Sequence, residues 1–96
     1  MNKKYLIVLS KEYDFEGNKY NEIDLSKIEE LKSVDLDKID KIYQSSGGMP
    51  LLAEMSRGYA MLVASEVTGL PKEFFDNLPA KESIRLKNVI SNFFFA

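Results

Sequence analysis

Chemistry needs groups that can carry a proton, a metal or a nucleophilic electron pair, and this 96-residue chain offers few. It has no histidine and no cysteine. The commonest general base and metal ligand is therefore missing, together with thiolate nucleophiles, thiolate metal sites and disulfides. A nucleophilic triad would have to join a serine to Lys or Glu, and no serine sits in a G-x-S-x-G elbow. Gly47-Gly48 lacks the Lys-Ser/Thr pair that completes a phosphate loop. Asp35, Asp37 and Asp40 are spaced like a metal cluster, but the Gly and the distal Glu of a calcium loop are absent. Acidic residues opening a helix are explained more simply by the helix macrodipole. The expectation is a non-enzymatic protein with no cofactor and no metal site.

Binding chemistry is the next possibility. Thirteen basic residues against 15 acidic ones give a net charge of −2. That balance argues against a sequence-independent nucleic-acid binder, which needs a basic face. Residues 64–78, ASEVTGLPKEFFDNL, do have the rhythm of a helix-turn-helix: Ala64, then Gly69 in the turn, then a short second helix. That helix would present Lys72, Glu73, Asp76 and Asn77, a poor set for base edges. A small helical DNA-binding regulator is the alternative reading. An acyl-carrier-like bundle would place its prosthetic serine after an Asp, and no Asp-Ser pair exists. No run approaches the roughly 20 apolar residues of a membrane span. Tyr5–Leu9 is far shorter than a signal-peptide core. Composition is that of an ordinary globular protein, with 45% hydrophobic and 29% charged residues. One domain over 1–96 and a cytoplasmic location are expected.

The elements that must position these residues form an α+β pattern: an N-terminal hairpin on a bundle of about four helices. In the hairpin, 4–23, Tyr5, Ile7, Leu9, Tyr13 and Phe15 alternate onto one face, with Leu6 and Val8 on the other. Apolar residues on both faces predict a strand covered twice. Glu16, Gly17 and Asn18 supply the turn, with Phe15 and Tyr20 flanking it. Residues 25–33 read as a short helix capped by Asp24, with Leu25, Ile28 and Leu31 inward. Residues 35–45 read as a second helix capped by Asp35, with Leu36, Ile39, Ile42 and Tyr43 as its stripe.

The clearest helix is 50–69, the expected spine, opened by Pro50 and closed by Gly69. Leu52, Met55, Tyr59, Leu62, Val63 and Val67 gather on one face at about 100° per residue. Glu54, Arg57, Met61, Ser65 and Thr68 lie opposite. Gly58 suggests close approach of another backbone. Glu66, inside the apolar arc, must reach water or meet a cation such as Arg85. A turn over 71–78 projects Phe74, Phe75 and Leu78. The last helix, 79–95, buries Leu86, Val89, Ile90 and Phe93. Ile84 and Phe95 fall on nearly the opposite side, beside Asn88 and Ser91, with Phe94 at the edge. One core does not need apolar groups on both sides of a helix, so this second stripe predicts a partner. The candidate partner or self-association residues are Tyr5, Ile7, Leu9, Ile84, Phe94 and Phe95.

Taken together, YDFEGNKYNEIDLSKIEEL (13–31), SVDLDKI (33–39) and EVTGLPKEFFDNLPAKESIRLKNVISNFF (66–94) resemble the small tail assembly chaperones of Mu-like phages and prophages. That family's pattern is an aromatic-Gly-Tyr hairpin leading into an Ile-Asp-Leu helix start. A long helix then ends in Gly-Leu-Pro, and a Leu-Pro pair precedes a final helix closing on Asn-Phe. Glu82, where the family often has Asp, departs from it. The resemblance implies a non-enzymatic protein of the host bacterial cytoplasm, absent from the mature virion. It implies binding to the aggregation-prone tape measure protein, self-association, and no contact with nucleic acid or membrane. It also implies that a longer form can arise by ribosomal frameshifting near Phe93–Phe95.

Overall fold

The computed structural model describes residues 5–45, 47 and 57–95. Their order is β1 (Leu6–Phe15), β2 (Asn18–Asp24), a 3-10 turn (Ser26–Glu30), α1 (Ser33–Ser45), α2 (Arg57–Thr68), α3 (Lys72–Asp76) and α4 (Ala80–Phe95). The fold is α+β, and among the described residues an antiparallel two-stranded hairpin is followed by four α-helices.

The hairpin is closed by two residues rather than three. Glu16 (φ 50°) and Gly17 (φ 83°) both adopt positive φ, as a type I′ turn requires to match the strand twist. Asn18 belongs to β2 and faces Phe15, and Tyr20 faces Tyr13 rather than Phe15. Between the pairs Val8–Glu22 and Tyr13–Tyr20 the register breaks, so Leu9 to Glu12 on β1 face Asn21 alone. Tyr5, Ile7 and Leu9 turn into the core. The opposite face is not covered twice as expected: Leu6 is half-buried and Val8 is 58% exposed.

The predicted helix 25–33 is shorter and tighter, a 3-10 turn over Ser26–Glu30. Leu25 and Ile28 are buried as expected. Leu25 rather than the expected Asp24 holds the N-cap position, and Asp24, one residue earlier, accepts the Ser26 N–H (2.9 Å). Hydrogen bonds from the Ser26 backbone and side chain hold its carboxyl below the ordinary 3.8. α1 begins two residues before the expected cap. Asp35 is its third residue and reaches back to the Lys32 N–H (2.9 Å), one half of a capping box. Ile39 is buried, whereas Ile42, expected inside, is 43% exposed.

α2 is the central helix. It packs against α1, α3, α4 and the 3-10 turn. The expected start at Pro50, with Leu52, Glu54 and Met55, lies outside the described residues, as does most of the predicted linker 44–49. Tyr59, Leu62, Val63 and Val67 are buried, and so are Ala60, Met61 and Ala64. Met61, placed on the polar side by periodicity, is inside because neighbours surround most of the helix. Gly69 (φ 76°) ends the helix, its N–H bonded to the Ser65 carbonyl (3.0 Å). Among the described residues, the atom nearest to a methyl group added at Gly58 is a Tyr43 ring carbon at 3.6 Å, a side chain rather than the expected backbone. Glu66 meets Lys38 (3.1 Å), not Arg85.

The 71–78 segment holds the five-residue α3, which plants Phe74, Phe75 and Leu78 in the core. Phe74 is ringed by Tyr20, Tyr13 and Phe15 at 4.8, 5.0 and 5.3 Å between centroids, all edge-on. The Tyr13 hydroxyl donates to the Phe74 carbonyl (2.8 Å). α4 buries Leu86 and Ile90, half-buries Val89 and Phe93, and also buries Glu82.

Candidate interaction surface and a buried carboxylate

α4 lies along β1 and has two working sides. Its inner side carries Glu82, only 4% exposed. Ser10 donates to it twice, from the backbone N–H to Oε2 (3.3 Å) and from the hydroxyl to Oε1 (3.1 Å). Arg85 Nη1 reaches both carboxylate oxygens at 3.2 Å and also donates to the Val8 carbonyl (2.8 Å). The strand explains why those groups are there. Leu25 N–H bonds to the Tyr5 carbonyl, so the polar groups of Tyr5 and Ile7 point towards β2. Those of Val8 then point the other way, because direction alternates along a strand. Arg85 takes the Val8 carbonyl on that outer edge, and Glu82 takes the Ser10 amide inside the register break. The pair covers part of an edge that would otherwise be open to another strand.

Beside this latch lies a cavity of about 630 Å³, lined by Leu9–Tyr13 and Pro79–Glu82. A smaller one of about 360 Å³ lies between β2 and the end of α2. The Ser10–Glu82 pair joins a hydroxyl to a carboxylate. Both Glu82 oxygens are engaged by Arg85, and the pair serves to bind strand to helix. Asp35 and Asp40 are likewise spent on structure: Asp40 accepts the Tyr59 hydroxyl (2.7 Å). Among the described residues no group of three acidic side chains is placed to hold a metal, and no helix is long and apolar enough to cross a membrane.

The outer side of α4 carries Ile84, 46% exposed, and Phe95, 63% exposed. Phe94 is half-buried, its ring edge-on to Phe93 (5.4 Å) and Tyr59 (6.0 Å). The expected interface residues therefore divide. Ile84 and Phe95 stand at the surface and Phe94 at its rim. Tyr5, Ile7 and Leu9, expected to face a partner, are core residues at 3%, 2% and 8% exposure. Their face packs on the helices of their own chain. Val8 takes the exposed position on β1 that sequence reading gave to a covered face.

In the helix-turn-helix-like segment, Lys72 is paired with Asp76 (3.0 Å) and the Asn77 amide donates to the Glu73 carbonyl (2.9 Å). Sequence reading missed Glu82, Arg85 and Ser10 as a unit. A Glu-x-x-Arg spacing in a first turn is their only local signal, and it is common on solvated helices. No family model, no curated protein and no solved structure matches the chain.

Proposed function

We propose that this chain is a non-enzymatic assembly chaperone of the phage tail type. It acts in the host bacterial cytoplasm, is left out of the virion, and shields apolar segments of a tape measure protein while the tail forms. The observation that carries this reading is the outer stripe of α4, where Ile84 and Phe95 hold large apolar side chains in water on a helix already fully used on its inner side. The absence of histidine and cysteine, and the structural use of Glu82, Ser10 and Asp40, support a binding role over a catalytic one.

The runner-up, a DNA-binding regulator, has less behind it. α3 has only five residues, buries two phenylalanines, and spends Lys72 and Asn77 on its own chain. Two measurements test the proposal. Co-expression with the tape measure frame expected downstream should move that protein into the soluble fraction. A gel shift at low salt should show no tight DNA binding. Tight, salt-sensitive binding, or a tape measure protein equally insoluble with and without the chain, would overturn the proposal.

A further inference from the structure

We infer that the Glu82–Arg85 pair of α4 is a guard that stands in for a strand on the outer edge of β1 and stops other strands from adding there. The pattern of its bonds carries the inference. Arg85 Nη1 donates to the Val8 carbonyl (2.8 Å), and Glu82 Oε2 accepts the Ser10 N–H (3.3 Å). These two backbone groups bracket Leu9. In a parallel ladder, one residue of a neighbouring strand bonds the carbonyl before and the amide after the residue it faces. The pair therefore supplies one donor and one acceptor where a strand residue facing Leu9 would supply its own. The two side chains lie three positions apart on one helix, and Arg85 Nη1 holds both Glu82 oxygens at 3.2 Å. That tie keeps donor and acceptor at one spacing, as the backbone of a strand residue does.

The strand has need of such a guard. Tyr5–Leu9, YLIVL, is five aromatic, β-branched and aliphatic residues with no charge, proline or glycine. Windows of that composition add to other strands readily when their edge is open. The core takes Tyr5, Ile7 and Leu9, but burial of side chains does not occupy the backbone edge. Val8 adds an exposed apolar side chain on the other face (58%). Natural sheets close such edges with inward-pointing charges, bulges or a covering helix. Here one helix brings both charges to the rim of the register break between Val8 and Tyr13. A buried ion pair contributes little net stability, since apolar replacement is often neutral. What Glu82 adds is specificity against strand addition. The inference concerns what the native edge refuses, and it does not rest on the tape measure reading.

The test compares assembly between variants matched in stability. Glu82→Met with Arg85→Met removes both edge partners and keeps side-chain bulk. Val8 and Ser10 are exposed, so water can satisfy the freed groups and the fold should hold. Val63→Ala, at a fully buried site, lowers stability with the guard intact. Each is incubated at the temperature where circular dichroism melts show the same folded fraction. The double variant should yield at least about tenfold more thioflavin-positive, pelletable material than wild type or Val63→Ala. Its amide I spectrum should gain the band of intermolecular β-sheet. Adding Val8→Lys, which places a charge on the same edge strand, should abolish the gain. Should the double variant not fold, Arg85→Met alone frees the Val8 carbonyl, leaves Ser10 bonded to Glu82, and should show the same ordering. A folded variant that assembles no more than wild type, or equal assembly by Val63→Ala, would overturn the inference.

Discussion

Glu82 is the residue whose role is least visible in the sequence and most specific in the structure. In sequence it is an acid in the first turn of a helix, where the macrodipole suffices to explain it. In the fold it joins α4 to a strand 72 positions earlier, and no local pattern reports a partner that distant. Replacing it should leave the Ser10 amide without its acceptor and the Arg85 guanidinium with the Val8 carbonyl but no carboxylate. We expect Glu82→Ala to lower unfolding free energy by about 1–3 kcal/mol in urea denaturation. A loss below about 0.5 kcal/mol, the level of an ordinary surface change, would show that the latch carries no weight.

Tyr13 gives a second test at this scale. Burial raises its phenol above the ordinary 10.0, because the charged form is disfavoured there. Its contribution is therefore fully present below pH 10 and is lost as pH rises through the folded-state value. Tyr13→Phe should cost about 0.5–1.5 kcal/mol at neutral pH, by removing the bond to the Phe74 carbonyl. It should also flatten the alkaline limb of the stability profile. An unchanged alkaline limb would mean Tyr13 does not titrate differently on folding.

At the scale of elements, what could be read and what could not follow from the range of the forces involved. The hairpin, the Gly69 helix end and the inward Phe74 and Phe75 were legible because alternation, positive φ and apolar clustering act locally. The 3-10 turn in place of helix 25–33, and the burial of Met61, were not legible. The burial of Met61 depends on how tightly α2 is surrounded, which helical periodicity does not encode. The same division bears on the turn. Glu16 holds a positive φ that costs an L-residue about 1 kcal/mol and that Asn tolerates better. Glu16→Asn should therefore raise the thermal midpoint, and a fall would contradict the type I′ assignment. Phe74, fully buried inside three flanking rings, is where hairpin and helices are joined. Phe74→Ala should cost about 3–5 kcal/mol, enough to leave a domain of this size barely folded. A cost near 1 kcal/mol would mean the hairpin does not depend on that junction.

For the whole molecule, the division of apolar surface is the feature that matters for function. The hairpin's inner face, α2, α3 and the inner side of α4 close into one core. Tyr5, Ile7 and Leu9, which sequence alternation offered equally to a partner, are absorbed by it. Alternation shows that a strand has an apolar face; it does not show which object covers that face. The outer stripe of α4 is different, because its inner side already supplies the core and Ile84 and Phe95 are left over. The central claim is that these two side chains are the docking surface. The most direct measurement is quantitative co-purification of the tape measure protein with tagged wild-type chain and with the Ile84→Ser, Phe95→Ser double variant, both checked for equal thermal midpoints. The account predicts that the variant stays folded and recovers at least about tenfold less tape measure protein, as loss of anchor residues implies. Equal recovery by a folded variant would contradict it.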